Sequence, residues 1–308
     1  MTTSYRPVIV FGEALIDAVA DGSETRLTPG GSPMNVAVGL ARLGVPVTLA
    51  TQFGDDEHGR LIAEHLAHDG LTVDRADGPT SVARAELQAD GSARYDFDIV
   101  WDREAPVLPA GAAPAVAHTG SLGAFLQPGG RAAVQLFRQL PAATVRSFDP
   151  NIRPALLEQA DALQQFDRIV KRTHVVKLSD EDADWLYPNV DPDGVLDRLL
   201  DGGVRLAAIT RGAAGSIVAG RDTRVQVMAP AVTVADTIGA GDAYMSGLLF
   251  ALLQGSGLQR IQQSAVDTTL LNRVGGVAAA SAAVAVSRAG ANPPSPVELF
   301  AATTGDHD

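Results

Sequence analysis

The chain has 308 residues, 46 % of them hydrophobic, enough for a substantial core in one large domain or two small ones. Its 24 basic and 36 acidic side chains leave a net charge of −12 with no basic cluster, which argues against nucleic acid or an anionic membrane as the main partner. It has no cysteine, so neither a disulfide frame nor a thiolate metal site is possible. The polar residues 1–7 run into a short apolar stretch rather than a signal-peptide core. The longest apolar run, about 277–286, falls short of the roughly 20 residues that span a bilayer. A soluble, cytoplasmic protein is expected. No Ser/Gly/Pro-rich linker divides it, so a single α/β domain over residues 1–308 is expected.

Val8–Phe11 is a continuous apolar run, the pattern of a strand buried on both faces. Residues 14–19 follow Gly12 and Glu13, with Asp17 among apolar neighbours. Pro29-Gly30-Gly31-Ser32-Pro33-Met34-Asn35 then opens a helix to about Leu43. Ser32 can cap it, Pro33 suits its first position, and Val36, Leu40 and Leu43 share one stripe. Two adjacent glycines let backbone approach a polar ligand and Asn35 offers donor and acceptor, although a plain loop and cap would use the same residues. Residues 47–53 read as a second strand and 57–68 as a helix with Leu61, Ile62 and Leu66 inward. Its His58, His65 and His68 lack the acidic partner of a zinc helix and read as a solvated face. Residues 82–88 and 93–100 alternate in part and are joined by Ala89-Asp90-Gly91-Ser92, a hairpin signal that breaks the α/β rhythm.

From residue 115 the alternation resumes. Strands are expected at 116–120, 145–148, 175–178, 206–210, 216–218 and 224–227, and helices at 129–140, 155–171 and 271–287. The run Asp149-Pro150-Asn151-Ile152-Arg153-Pro154 follows a strand, where open α/β sheets bind ligands. Arg153 can fork onto phosphate or sugar oxygens, a surface ion pair being the plainer alternative. Asp180, Glu181, Asp182 and Asp184 lack the Gly and terminal Glu of an EF-hand and suit a helix N-terminus equally well. Arg211-Gly212-Ala213-Ala214-Gly215 is a Gly-rich turn, but no Gly-Lys-Ser/Thr follows, so it is not a Walker A loop. The most informative stretch is 236–249. Gly239, Ala240 and Gly241 lead into a helix over 242–254, with Met245, Leu248, Leu249 and Leu252 on its apolar stripe. A small-residue turn feeding a helix N-terminus is an anion site. A carboxylate beside it, Asp242, makes sense as a proton acceptor next to donors that hold developing negative charge; a simple helix cap is the bland alternative.

Asp236-Thr237-Ile238-Gly239-Ala240-Gly241-Asp242 resembles the second signature of the ribokinase-like (PfkB) sugar kinases. Gly30-Gly31 with Asn35 and Ala37, then Leu40-x-x-Leu43-Gly44, resembles the first. The resemblance covers nearly the whole chain. It implies a three-layer Rossmann-like fold with a mainly parallel sheet flanked by helices, and a small β lid over the sugar from about 19–29 and 82–101. It implies that Asp242 is the base for a sugar hydroxyl and that the backbone of Gly239, Ala240 and Gly241 holds the transferred phosphoryl group of ATP. By the same resemblance Gly30, Gly31 and Asn35 contact the sugar. Gly12-Glu13-x-Leu15-x-Asp17 resembles the fructokinase and 2-keto-3-deoxygluconate kinase branches, in which the matching Asp accepts hydrogen bonds from sugar hydroxyls. Asp149-Pro-Asn-Ile-Arg-Pro154 resembles the bacterial fructokinases and assigns Arg153 to the substrate, with Asp149 and Asn151 orienting it. Lys177 reaches nucleotide phosphates, and Thr210, Gly212 and Gly215 form the nucleotide loop. Ribokinases carry Asn-x-x-Glu where this chain has Ser179-x-x-Asp182, a departure that leaves Asp182 to hold Mg²⁺ only through water. A monovalent cation, K⁺, is implied beside Asp236. Many relatives carry an Asn early in the last helix, where alanines and Ser281 stand here, so adenine selectivity is less firmly implied than phosphoryl transfer. By the same resemblance Arg84, Tyr95, Phe97 and Trp101 are candidates for lid contacts with the substrate or with a second subunit in a homodimer, packing within the lid being the plainer alternative for an aromatic.

The expected activity is ATP- and Mg²⁺-dependent phosphorylation of a small sugar, D-fructose to fructose 6-phosphate. Its rivals in the family are 2-keto-3-deoxygluconate kinase, ribokinase and a nucleoside kinase; aromatics at 5 % leave little for a base-stacking pocket. A catalytically silent sugar sensor is the alternative from another class. A nicotinamide dehydrogenase would need a Gly-x-Gly-x-x-Gly after the first strand, and none is there.

Overall fold

Short apolar runs dominate the strands, and they assemble into two sheets. In chain order the strands are β1 (Val8–Phe11), β2 (Leu15–Asp21), β3 (Glu24–Gly30), β4 (Val47–Gln52), β5 (Thr72–Ala76), β6 (Ser81–Leu87) and β7 (Ala93–Asp98). They continue with β8 (Val116–Gly120), β9 (Val145–Asp149), β10 (Val175–Ser179), β11 (Leu206–Thr210), β12 (Ser216–Gly220) and β13 (Thr223–Val227). The structure, a computed structural model, describes residues 5–21, 24–87, 93–109 and 111–304. The expected turn Ala89–Ser92, the Tyr95 side chain and the last four residues of the expected frayed end lie outside the described residues.

The larger sheet has the order β13-β12-β11-β10-β9-β8-β1-β4-β5. β5 through β11 run parallel in it, and β12 and β13 close one edge as antiparallel strands. Helices cover both faces, as the continuous burial of β1, β8 and β12 requires. Under one face a core joins Val10, Leu49 and Val175 to the helices Ser32–Arg42, Glu57–Ala67, Ala240–Leu253 and Thr268–Val286. Under the other, Phe11, Phe148 and Ile209 pack on the helices Gly129–Gln139, Gln159–Val170, Asp180–Leu186 and Pro192–Asp201. This is the three-layer, mainly parallel α/β architecture expected from the sequence. The chain reverses its direction of winding between β1 and β8, and the carboxyl ends of the strands there form the natural ligand crevice.

The smaller sheet, β3-β2-β6-β7, stands apart from the larger one. β2 pairs antiparallel with β3 and parallel with β6, and its Ile16, Ala18 and the β6 residue Val82 join the core beneath. It starts at Leu15, earlier than the expected lid boundary, so Asp17 itself lies on it. Trp101 does not: it is buried, stacks against Phe11 at 5.4 Å between ring centroids, and donates its indole N–H to Gly123 O at 3.0 Å. A core position, not a lid contact, is where it sits.

Several boundaries differ from the sequence expectation for local reasons. A 3₁₀ turn, Pro154–Leu156, precedes the helix expected from 155, which begins only at Gln159. Strand β5 carries the exposed Thr72 and Arg75 at the sheet edge, and its polar sequence hides it. The last long helix starts at Thr268, where the Asp267 side chain accepts from Leu270 N–H at 2.9 Å. At 19 residues it is apolar and long enough to cross a membrane by length and composition, unlike the short run expected, but it is mostly buried and packs along Ala240–Leu253 and the β12–β13 edge.

His174 links this architecture to acid stability. Its Nδ1 accepts from Arg146 N–H at 3.1 Å between β9 and β10. Burial first, then Arg205 and Arg146, lowers its pKa from 6.5 to about 4. Between those values the unfolded chain takes up a proton that the folded chain refuses, so this group removes stability as pH falls through that window. Buried carboxylates contribute with the opposite sign, so the difference between two chains isolates the effect. Urea unfolding of wild type and His174→Gln at pH 7.5 and 4.5 should show the wild type losing more stability than the variant; equal losses would refute the assignment.

Candidate active site

The helix Ala240–Leu253 sets its N-terminus at the crevice. Its N-cap, Gly239, has φ 74°, a left-handed conformation open to glycine, and a Cβ there would come 2.7 Å from that of Ala291. Ala240 N–H turns back to Thr237 O at 3.2 Å, while the next N–H groups of the first turn have no intrahelical acceptor and face outward. With the helix dipole, the N–H groups of Gly241 and Asp242 give this turn the character of an anion cradle.

Asp242 stands in the same first turn and is 8 % exposed. Its Oδ1 accepts from Ser32 Oγ at 2.6 Å and its Oδ2 from Asn35 Nδ2 at 2.8 Å. Burial raises its pKa, against the lowering effect of those two donors and of Lys177 and Arg153. Both donors come from the helix Ser32–Arg42, which starts one residue earlier than a Ser32 cap would allow. Gly31 is the N-cap, at φ 110°, and makes no side-chain cap bond; Ser32 is the first helical residue and its hydroxyl is spent on Asp242 instead. Serine and asparagine three apart share a helix face, and that spacing was the available signal for the role of Ser32.

Asp17 and Arg153 lie close to this carboxylate, and Glu13 lies close to Arg153. Asp17, on β2, lies near enough for Asp242 to raise its pKa and Arg153 to lower it, burial being the larger cause of its net upward shift. Gly30, paired with Leu15 across β2 and β3, leaves room for Asp17: a Cβ there would fall 2.1 Å from Asp17 Oδ2. Arg153 follows Asn151, whose φ of 39° is left-handed, and its Nη1 donates to Asn151 Oδ1 at 2.7 Å. Glu13, which the sequence reading passed over, is 1 % exposed at the end of β1 and accepts from Gly123 N–H at 2.8 Å. An acid placed one residue beyond a wholly apolar strand was the signal for it.

On the other side of the cradle a cleft of about 360 Å³ opens, with Arg153, Lys177, Asp182, Thr210, Gly212 and Gly241 on its wall. Lys177, 3 % exposed, donates to Asp149 Oδ2 at 3.0 Å. Burial works against its ammonium, but Asp149, Asp182 and Asp242 hold its pKa above the usual value. Burial pushes Asp149 up to about 7 despite the pull of Lys177. The structure gives Asp182 two backbone partners: Oδ1 accepts from Ile152 N–H at 2.7 Å and Oδ2 from Ser179 N–H at 3.0 Å, the second as part of a capping box. Thr210 Oγ1 donates to Leu178 O at 3.3 Å. Gly215 is not on the cleft wall; at φ 80° it turns the chain into β12, where Arg211 N–H donates to Gly215 O at 2.7 Å. Asp236 is half-buried and ties two loops together, accepting from Ile238 N–H at 3.0 Å and Gly290 N–H at 2.8 Å, which lowers its pKa.

Chemically, a buried carboxylate, a backbone anion cradle, a fixed ammonium and a cleft thus meet at one place. Among the described residues no three or more His, Asp or Glu side chains are grouped to hold a metal ion by themselves. A divalent ion in this cleft would take its remaining ligands from phosphate oxygens and water, the usual habit of Mg²⁺.

Comparison with known proteins identifies the family. The model of the pfkB family carbohydrate kinases matches residues 6–298. A fructokinase of Rhizobium leguminosarum bv. trifolii is 30 % identical over 280 residues, covering 86 % of this chain and 85 % of its own. The fructokinase of Xylella fastidiosa with bound ATP superposes with a TM-score of 0.84 at 26 % identity, covering 97 % of this chain and 98 % of its own. A fructokinase double mutant of Vibrio cholerae O395, in a form with fructose, ADP and potassium ion bound, gives 0.82 at 25 % identity over 98 % of this chain and 99 % of its own. With both signatures in one crevice and the family matched almost end to end, the chain belongs to the pfkB family of carbohydrate kinases and is a sugar phosphotransferase.

Proposed function

We propose that this kinase transfers the γ-phosphoryl group of ATP to the primary hydroxyl of D-fructose, giving fructose 6-phosphate and ADP. The observation that carries the mechanism is the buried Asp242, held by Ser32 and Asn35 within the helix turn that forms the anion cradle. Asp242 accepts the hydroxyl proton as the sugar oxygen bonds to phosphorus and the bond from phosphorus to the β,γ-bridging oxygen breaks. The Gly239 and Gly241 backbone N–H groups and Lys177 hold the charge on the moving phosphoryl group, while Ala240, whose N–H is bonded to Thr237 O, shapes the turn between them. Asp17, Gly30, Gly31, Asn35 and Arg153 hold the sugar. Thr210, Gly212 and Gly215 shape the nucleotide loop.

A divalent cation, when bound, screens the phosphate charges. Asp182, on the cleft wall, reaches it through water. Potassium binds beside Asp236, whose two backbone bonds join the loops that would supply carbonyl ligands. Fructose is favoured over ribose, 2-keto-3-deoxygluconate and nucleosides by the fructokinase relatives and by the Asp149-Pro-Asn-Ile-Arg-Pro154 run. The smaller sheet serves as the lid and as the surface for a homodimer.

A coupled ADP-release assay across fructose, ribose, 2-keto-3-deoxygluconate and adenosine should give the highest kcat/KM with fructose; a higher value for any of the other three reassigns the substrate. Asp242→Asn should lower kcat by about 10²–10⁴-fold, the range of a general base, with an unchanged melting temperature. Near-normal turnover in that variant would remove Asp242 from the chemistry. Because burial raises the Asp242 pKa, the acidic limb of the pH–kcat/KM profile should lie above the ordinary Asp range near ~3.9. Ser32→Ala removes a donor that favours the charged carboxylate, so it should move that limb further up. A limb that stays fixed or moves down contradicts the assigned role of Ser32.

A further inference from the structure

The buried pair beneath the cradle is not explained by packing. The β9–β10 ladder pairs Val175 with Ser147 and Val176 with Phe148; carried one position further it sets Lys177 beside Asp149. Both side chains are sealed from solvent, at 3 % and 0 % exposure. Asp149 spends one oxygen on Lys177 at 3.0 Å, and its Oδ1 has no hydrogen-bond partner among the described residues. A buried carboxylate with half its acceptor capacity unused is costly, and an apolar pair of similar size would often be as stable or more so. Something other than stability favours charge at this point of the sheet.

The position of the ammonium supplies the reason. A Cβ placed on Gly241 would lie 2.9 Å from Lys177 Nζ. The ammonium therefore presses directly against the second residue of the cradle helix, and the same lysine lines the cleft. One of its three N–H donors goes to Asp149, leaving two for an incoming anion. A lysine side chain is long and has several rotatable bonds, so without a fixed acceptor behind it the ammonium would not be held at one place.

We propose that Asp149 is a positioning residue: it anchors Lys177 so that the lysine ammonium meets the transferred phosphoryl group at the Gly241 side of the cradle. The proposal rests on the kinase reading of this site. Asp149 acts only through Lys177 and touches neither substrate. Its removal therefore disturbs the phosphoryl-transfer step, not sugar binding.

A double-mutant cycle tests it. Lys177→Met should lower kcat by about 10²-fold, the loss seen when one charge-stabilising donor is removed. Asp149→Asn should lower kcat at least tenfold with the KM for sugar unchanged. The double variant Asp149→Asn/Lys177→Met should match Lys177→Met in kcat, because Asp149 has nothing left to position. It should also melt no lower than either single variant, since no buried charge remains unpaired. An Asp149→Asn enzyme within twofold of wild-type kcat, or single losses that multiply in the double variant, would overturn the proposal. Should Asp149→Asn alone fail to fold, the double variant decides: a folded double variant with near wild-type kcat overturns the proposal, and one matching Lys177→Met supports it. A wild type that phosphorylates none of the sugars tested would instead defeat the kinase reading itself.

Discussion

Two hydrogen bonds to one carboxylate tie this molecule together. Ser32 and Asn35 are separated from Asp242 by most of the chain, yet both reach it within 2.8 Å. The contact demands that the helices Ser32–Arg42 and Ala240–Leu253 cross closely. They do so at Gly39, where any side chain would run into Ser246, whose Oγ lies 2.5 Å from the place of a Cβ. Two short signatures thus become one site because of a packing constraint one to two helical turns deeper in the core. The site is consequently as rigid as the core on which it rests.

The electrostatics follow from the same arrangement. The whole chain is acidic, and Asp17, Asp149, Asp182 and Asp242 crowd the crevice. A polyanionic substrate would be repelled by such a surface unless the attraction were local. The structure supplies it from fixed sources: a helix N-terminus, a lysine locked against it, and Arg153 on the wall of the same cleft. Backbone N–H groups carry no counter-charge that must be desolvated, which suits a site where charge moves during the reaction. The buried carboxylates are raised in pKa mainly because water has been excluded from around them, and exclusion of water also strengthens the cradle.

Much of this was legible in the residues. Continuous apolar runs such as Val8–Phe11 announced the central strands, since only strands covered on both faces are apolar throughout. The glycines before Asp242 announced the turn that opens the helix Ala240–Leu253. What was hidden had two causes. Ser32 looked like a helix cap because one hydroxyl can either accept from a backbone N–H as a cap or donate to a distant carboxylate, and local sequence cannot say which partner will be nearer. Trp101 looked like a lid aromatic because its neighbours alternate like a strand, whereas its ring is drawn under Phe11 by a core assembled from distant segments. Strand β5 escaped because its half-exposed, polar sequence lacks alternation. The helix Pro192–Asp201 carried its signals openly, with an Asp191 cap, Pro192 at its first position and Val195, Leu196, Leu199 and Leu200 on one face, and was missed rather than hidden.

One junction carries a mechanical consequence. β3 ends at Gly30 and the helix holding Asn35 begins at Ser32, so a lone peptide unit with a left-handed bend joins them. On that side of the crevice, any swing of the smaller sheet must pivot about Gly31. Such a pivot would shift Asp17 relative to Asp242 while leaving Ser32 and Asn35 moored to it. Under the proposed function, gripping the acceptor and readying its proton sink would then be mechanically separate acts, like a door and its latch mounted on different frames.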